Sequence, residues 1–109
     1  FSCSDDINIE AFIGEYDVFE ECDNTPDWTY RITISEVTNG DGDIMISNFG
    51  DFDKDVIASF HNDEIFYNYE ETDFTISGNG EFSGNSLTLY YTSAEPDFSS
   101  TCTAYCTKQ

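Results

Sequence analysis

Four cysteines are the residues of this sequence best able to form a covalent link or to hold a metal ion. A zinc site needs closely spaced pairs such as C-x2-C, and only the last two cysteines lie near each other in sequence. In a small acidic chain, four cysteines instead favour disulfide bonds in an oxidising compartment, with the pairing left open. A bridge between the first and last strands, if these are neighbours, would close most of the chain into one loop. The cysteines are Cys3, Cys22, Cys102 and Cys106.

Two acidic runs offer the oxygen ligands that calcium prefers. The spacing of an EF-hand loop is not met, because Lys54 and Val56 interrupt the second run. We therefore interpret both runs as solvated acidic turns and expect no cofactor, with a calcium site as the alternative interpretation. The candidate ligands are Asp41, Asp43, Asp51, Asp53 and Asp55.

Residues that commonly carry catalysis are sparse. His61 is the only histidine, and its place in the alternating pattern puts it on the solvent side of its strand. Adjacent carboxylates such as Glu70 and Glu71 point to opposite faces of a strand, so they do not form a glycosidase-type pair by themselves. We therefore expect that the protein is not an enzyme.

Glu20 is the carboxylate whose position is most informative. It has the same parity as Tyr16 and Val18, which places it on the inner side of its strand. An inward carboxylate needs a partner, but Arg31, the only arginine, has outward parity. We therefore expect Glu20 near one open end of the folded sheet.

Short strands are the elements that position these residues, because apolar and polar side chains alternate from Glu15 onward. We count eight such runs, separated by short clusters of turn residues, which predicts antiparallel hairpins. Near-uniform spacing, with cysteines in the first and last runs, favours closure into a barrel over a sandwich. The predicted fold is all-β, an antiparallel up-and-down eight-stranded small barrel. Large side chains of inward parity should fill it: Trp28, Tyr30, Phe60, Tyr67 and Phe74.

Two departures from alternation complete the predicted fold. Ile9, Phe12 and Ile13 have helical spacing, which predicts a short N-terminal helical plug across one end of the barrel, ended by Gly14. Glycines interrupt the sixth run, where we expect the strand to bend sharply or to form a bulge. These glycines are Gly78, Gly80 and Gly84.

The charge of the chain excludes several classes of partner. The 109 residues carry 23 acidic and three basic side chains, for a net charge of −20. Such a surface repels nucleic acids and anionic lipid headgroups, while aromatic residues at 17% of the chain indicate a packed core. No apolar run approaches the length of a membrane-spanning helix, so we expect any membrane attachment to be covalent or through a partner.

Several aromatic residues have outward parity on the predicted strands. Exposed aromatic side chains on a small barrel form a candidate interaction patch, because large exposed apolar areas usually mark a partner surface. The predicted patch consists of Phe19, Phe49, Phe66 and Tyr90.

The opening "FSCSDD" resembles the processing and export region of lipoproteins of the Bacteroidota. The remaining chain is similar to a small lipocalin-like β-barrel domain of those lipoproteins. The stretches that carry this similarity are "GEYDVFEEC", "YRITI", "ISNFG", "VIASF", "SGNGEFSGNSLTLYYT" and "CTAYCTKQ".

This resemblance implies a cellular location, a division of the chain and a pairing of the cysteines. Cys3 would be the lipidated residue, and Ser4, Asp5 and Asp6 the signal for export to the cell surface. Residues 1–14 would form the processing segment and plug, and residues 15–109 the barrel. We expect a Cys22–Cys102 disulfide, with a Cys3–Cys106 bridge as the alternative to lipidation.

The expected function is that of a lipid-anchored lipoprotein at the cell surface or outer membrane. It would act as a non-catalytic interaction module, an accessory subunit of a larger outer-membrane complex for transport, secretion or assembly. The alternative is a lipocalin-like carrier of a small apolar ligand.

Overall fold

Eight strands form a closed antiparallel barrel in the computed structural model, which describes residues 9–23, 25–37 and 44–109. The strands are β1 (Gly14–Cys22), β2 (Trp28–Glu36), β3 (Ile44–Ser47), β4 (Val56–His61), β5 (Glu64–Glu71), β6 (Phe74–Ser83), β7 (Ser86–Glu95) and β8 (Phe98–Lys108). Each strand pairs with the next, and β1 also pairs with β8. The predicted eight-stranded up-and-down barrel is confirmed. In the described residues, no helix is long and apolar enough to cross a membrane.

Alternation along the strands determines which side chains fill the barrel. On β2, the side chains of Ile32 and Ile34 are fully buried. The preceding residue, Arg31, points to the opposite face and is exposed, as its parity predicts. Burying each large aliphatic side chain contributes about 1.5–3 kcal/mol relative to leaving it in water. The interior is therefore a packed core, which includes Tyr16, Val18, Ile32, Ile34, Ile44, Ile46, Phe49, Val56, Ala58, Ile65, Tyr67, Ile76, Phe82, Leu87, Leu89 and Tyr91.

Trp28 is an exception to the predicted interior, and that prediction is wrong. It has inward parity but is 54% exposed, because it is the first residue of β2 and lies beyond the filled part of the barrel. Its indole Nε1 donates a hydrogen bond to Asp51 Oδ2 over 2.8 Å. Tyr67 is buried as predicted, and Tyr30, Phe60 and Phe74 pack half-buried against the core.

A 3-10 turn at Ile9–Phe12 precedes the first strand. The ring of Phe12 stacks on Phe82 at a centroid distance of 3.9 Å and also contacts Phe60 at 5.6 Å. These contacts cover the end of the barrel at which β4 and β6 finish. The barrel begins at Gly14, one residue before the predicted boundary. Part of the predicted N-terminal segment lies outside the described residues, including Cys3, Ser4, Asp5 and Asp6.

Closure of the barrel depends on the pairing of β1 with β8, which runs from Tyr16 opposite Lys108 to Cys22 opposite Cys102. A disulfide bond joins Cys22 to Cys102 at the end of this ladder, as predicted. Cys106 is a free, buried thiol, and Cys3, its alternative bridge partner, lies outside the described residues. Burial raises the pKa of the Cys106 thiol to about 12, which keeps it protonated and unreactive.

Gly78 allows two strand backbones to approach closely, and the sixth strand has no bulge there. The register of β6 continues without interruption against both β5 and β7. A Cβ atom on Gly78 would lie 1.9 Å from the carbonyl oxygen of Tyr90. The hydroxyl of Tyr67 lies under the same junction, 2.8 Å from the carbonyl oxygen of Asn79 and 2.9 Å from that of Tyr90.

Removing the disulfide should lower stability markedly. The bridge spans 80 residues, and a loop of that size corresponds to about 4.5 kcal/mol in the chain-entropy model. We expect Cys22→Ser/Cys102→Ser to lose about this much free energy of unfolding in urea denaturation. A dithiol reductant should destabilise the wild type but not the double variant, which serves as its control. A loss below about 1 kcal/mol would contradict the assigned role of the bridge.

Gly78→Ala should destabilise the barrel, because the added methyl group collides with backbone that cannot move independently. We expect a loss of about 3 kcal/mol in the free energy of unfolding, measured by urea denaturation. Ser77→Ala, at the neighbouring exposed position, should change stability by no more than about 0.5 kcal/mol. Equal effects of the two substitutions would show that the strands do not approach as described.

Candidate functional site

One end of the barrel holds the most polar part of the interior. β1 ends here and β8 begins here, and the Cys22–Cys102 disulfide lies between them. A cavity of ≈ 130 Å³, the mouth cavity, opens at this end. Its lining consists of Glu20, Cys22, Thr25, Gly50, Phe52, Tyr91, Ser93, Glu95, Phe98, Ser100 and Cys102.

Glu20 lies at the base of the mouth cavity and is only 6% exposed. Its inward orientation and its place near a barrel end agree with the sequence-based prediction. Two phenol hydroxyls donate to the same carboxylate oxygen, Oε1: Tyr30 over 2.6 Å and Tyr91 over 2.7 Å. The partners of this buried carboxylate are therefore neutral hydroxyl groups.

The second carboxylate oxygen of Glu20, Oε2, has different surroundings. It lies 3.2 Å from Sγ of Cys22. That sulfur is part of the disulfide and carries no proton, so it cannot donate a hydrogen bond. Among the described residues, both hydroxyl hydrogen bonds to Glu20 thus reach Oε1, and the neighbour of Oε2 is a sulfur without a donor hydrogen.

Burial controls the protonation of this cluster. Desolvation raises the pKa of Glu20 above its ordinary value, the two tyrosine hydrogen bonds partly oppose this, and the nearby charge of Asp51 adds to it. Burial also raises the pKa of Tyr30 and Tyr91, as does the neighbouring Glu20 carboxylate. Both phenols therefore remain protonated and act as hydrogen-bond donors throughout the physiological pH range.

Metal binding at this end is limited by the disulfide. The potential ligand atoms of Glu20, Cys22 and Cys102 lie within 4.8 Å of one another. Because the two sulfurs are bonded to each other, only the Glu20 carboxylate remains as a ligand in the oxidised protein.

In the described part of the structure, the predicted calcium ligands do not lie together. Asp51, Asp53 and Asp55 do not form a group of converging ligand atoms there. Both carboxylate oxygens of Asp51 are engaged, Oδ2 by Trp28 and Oδ1 by Asn48 Nδ2. Asp41 and Asp43 lie outside the described residues.

No basic side chain is a hydrogen-bond partner of Glu20 among the described residues. Arg31 forms exposed ion pairs with Asp17 and Glu15, and Lys54 pairs with Glu71, to which Tyr69 also donates. Lys108 donates from Nζ to the carbonyl oxygen of Ala11 over 2.7 Å. These are all three basic residues of the chain, and none lines the mouth cavity.

Phe49 was predicted to be part of the exposed patch, and that prediction is wrong because the residue is fully buried. It belongs to a 3-10 turn at Phe49–Asp51, where strand alternation does not apply. Asn48 and Gly50 have left-handed backbone conformations that turn the chain across the barrel end. The ring of Phe49 packs edge-on against Tyr67 and Tyr91 at 5.0 and 4.9 Å.

The other three residues of the predicted patch, Phe19, Phe66 and Tyr90, are exposed on the outer surface. Tyr105 was not included in the prediction, although its parity opposite to Cys102, Ala104 and Cys106 indicates the outer face. It stacks with Phe19 across the β1–β8 pair, at a centroid distance of 6.5 Å.

The outer faces of β7 and β8 carry no charged side chain within the strands. We call this surface the uncharged wall. It is bordered by acidic residues of β1, such as Asp17 and Glu21, and by Glu81 of β6. In a chain that is 24% charged, five successive outward positions without charge on each of two adjacent strands are a marked local departure. They are Ser86, Thr88, Tyr90, Thr92, Ala94, Ser99, Thr101, Thr103, Tyr105 and Thr107.

Two open surface grooves flank the tyrosines of the uncharged wall. A groove of ≈ 560 Å³ runs beside Tyr105 and Phe19 toward β2, and one of ≈ 250 Å³ lies beside Tyr90 over β6 and β8. Both are shallow depressions of the barrel exterior. The mouth cavity and the uncharged wall are therefore the two candidate binding surfaces. His61 belongs to neither of them, because it is exposed on β4, three strands from Glu20 on β1.

Substitutions of Glu20 should separate its charge from its hydrogen bonds. Glu20→Ala leaves the buried hydroxyls of Tyr30 and Tyr91 without their acceptor and should cost about 1–3 kcal/mol of unfolding free energy. Glu20→Gln keeps an acceptor oxygen and removes the charge. The pKa of Glu20 is higher in the folded state than its ordinary value of 4.5. The contribution of Glu20 to folding stability is therefore complete below pH 4.5, and it is lost as pH rises through the folded-state pKa.

Glu20→Gln should therefore gain stability relative to wild type as pH rises above the ordinary glutamate value of 4.5, as urea denaturation at a series of pH values would measure. Glu70→Gln, which removes an exposed charge of β5, is the matched control and should show no such trend. Parallel stability curves for wild type and Glu20→Gln would contradict the assignment of a destabilising buried charge.

Comparisons with known proteins support the fold and do not extend beyond it. No protein-family model matches this chain, and no curated protein matches it. A solved structure of a redesigned β-barrel is similar, with a TM-score of 0.61 and 10% sequence identity over 93% of this chain and 94% of that chain. At this identity the likeness shows that the chain is a small eight-stranded antiparallel β-barrel.

Proposed function

We propose that the protein is a non-catalytic interaction module that docks on a larger protein through the uncharged wall. The observation that carries this proposal is the charge-free outer face of β7 and β8 in a chain of net charge −20. Tyr90 and Tyr105 lie on this face, 42% and 47% exposed.

The chemistry of the uncharged wall matches that of the central part of protein–protein interfaces. Such centres are depleted in charged residues and enriched in tyrosine and other aromatics, and their strongest contacts are often tyrosines. Phe19 extends the wall onto β1, where it stacks with Tyr105. Threonine hydroxyls supply hydrogen-bonding groups between the rings, as in the cross-strand pair Thr92 and Thr101, whose hydroxyl oxygens are 3.2 Å apart.

Acidic residues on either side of the wall favour a partner with a complementary rim. Asp17 and Glu21 border it on β1, and Glu81 borders it on β6. The acidic residues would attract the basic margins of such a partner at long range, and its uncharged centre would then pack against the wall. Nucleic acids and anionic headgroups would be repelled by the same charges.

The proposed cellular location rests on the resemblance of the sequence "FSCSDD" to the export region of lipoproteins of the Bacteroidota. A lipid on Cys3 would hold the barrel at the outer membrane or cell surface, and Ser4, Asp5 and Asp6 would direct its export. The partner would then be an outer-membrane complex for transport, secretion or assembly, with this protein as its accessory subunit.

The filled interior speaks against the alternative of a carrier for an apolar ligand. Small-molecule pockets usually have volumes of about 300–1,000 Å³. The mouth cavity has ≈ 130 Å³ and a carboxylate at its base, and the barrel below it is occupied by the core.

Co-purification from membranes tests the proposal directly. The native protein, solubilised in mild detergent, should elute with a defined outer-membrane partner, and its intact mass should include a di- or triacyl increment on Cys3. Tyr90→Glu/Tyr105→Glu should reduce the amount of bound partner about tenfold or more, because it places charge in the centre of the interface.

Ile57→Glu is the matched control, since Ile57 is 49% exposed on β4, four strands away from β8 around the barrel. It adds one negative charge at an exposed apolar position, as Tyr90→Glu or Tyr105→Glu does singly, and should leave the partner bound. A protein that always elutes alone, or equal losses in both variants, would overturn the docking proposal. An unmodified Cys3 would overturn the anchor.

A further inference from the structure

We propose that the mouth cavity binds a primary ammonium group carried on a short alkyl chain, with Glu20 Oε2 as its anionic ligand. This site is separate from the uncharged wall and does not depend on the proposed docking function. The argument rests on the hydrogen bonding of Glu20, the charges around the cavity, and its size and lining.

The two tyrosine hydrogen bonds of Glu20 reach only one of its carboxylate oxygens. Oε1 accepts from Tyr30 and Tyr91, which fixes the orientation of the carboxylate. Oε2 lies beside Cys22 Sγ, a disulfide sulfur without a proton. Since Glu20 lines the cavity, a donor in the cavity can reach this oxygen, and a charged donor would form the stronger hydrogen bond.

Charge around the cavity selects a cation. Glu95 is a second carboxylate in the lining, and Asp51 is close enough to act on Glu20 electrostatically. No basic residue lines the cavity in the described part of the chain. Lys54 lies in a neighbouring depression that shares Phe52 and Glu95 with the cavity, where it is paired with Glu71. Arg31 and Lys108 are engaged at other places. A buried carboxylate without a cationic neighbour gains more from an incoming cation than a solvated carboxylate does. The net charge of −20 raises the local concentration of cations further.

Size and lining narrow the class of cation. A volume of ≈ 130 Å³ corresponds to about four water molecules, which is enough for a short alkylammonium group. Phe52 and Phe98 offer apolar and aromatic surface for the alkyl chain and the charge. The hydroxyls of Ser93 and Ser100 provide further acceptors for the three N–H donors of a primary ammonium. A quaternary ammonium has no N–H and lacks these bonds.

Titration of the wild-type protein with n-propylammonium chloride at low ionic strength tests the site. Backbone amide shifts in NMR should saturate with a dissociation constant on the order of millimolar, as a ligand of so few atoms allows. The shifts should concentrate at Tyr91, Ser93 and Ser100. Propanol, tetramethylammonium, and sodium chloride at matched ionic strength should not produce the same saturable pattern.

Two variants assign the effect to Glu20. Glu20→Gln keeps the acceptor for both tyrosines and should weaken n-propylammonium binding about tenfold or more. Glu70→Gln removes one exposed charge and should bind as the wild type does. Unchanged binding by Glu20→Gln would overturn the proposal. If Glu20→Gln does not fold, the location of the wild-type shifts decides, and shifts outside the cavity lining would overturn it.

A second titration with Nα-acetyl-lysine amide distinguishes the source of the ammonium group. Binding at least as tight as that of n-propylammonium would indicate a lysine side chain of a protein as the ligand. Binding of n-propylammonium alone would indicate a free amine. No saturable binding of either, or equal effects of propanol, would show that the cavity is a water site and overturn the proposal.

Discussion

Pairing of the first strand with the last is the constraint on which both candidate surfaces depend. The ladder from Tyr16 opposite Lys108 to Cys22 opposite Cys102 closes the sheet. Inside the barrel, closure brings Glu20 of β1 to Tyr91 of β7, which are 71 residues apart in sequence. Outside, it places Phe19 beside Tyr105 and so extends the uncharged wall across the junction of the chain ends. An open sheet with the same strands would have neither arrangement.

Charge is distributed unevenly over this closed sheet. Three basic residues are set against 23 acidic ones, yet two adjacent strands present only uncharged side chains to the outside. Inside, the one buried carboxylate among the described core residues is held by neutral tyrosine hydroxyls rather than by a cation. Burial of the Glu20 carboxylate lowers stability, and an uncharged face on so acidic a chain is unusual. These two features are the reason why we propose binding at the wall and at the mouth cavity.

Much of the fold followed from alternation, and the exceptions occur where alternation ends. The eight strands, the inward Glu20 and the Cys22–Cys102 bridge were predicted, because a period of two fixes the face of each strand residue. The tyrosine partners of Glu20 were not predicted. Tyr91 reaches Glu20 only because the barrel closes, and Tyr30 does so through the register of the β1–β2 hairpin, which alternation alone does not give. Phe49 was assigned to the wrong face because it lies in a 3-10 turn entered through left-handed Asn48. Trp28 has the predicted parity but lies past the end of the filled interior.

The most direct test of closure is an NMR measurement of contacts between β1 and β8 in the oxidised wild-type protein. We predict cross-strand nuclear Overhauser effects between the backbones of Phe19 and Tyr105 and of Val18 and Cys106, together with slow amide exchange along both strands. Absence of these effects, with amides of β1 and β8 exchanging as fast as those of open sheet edges, would contradict the closed barrel and with it both proposed surfaces.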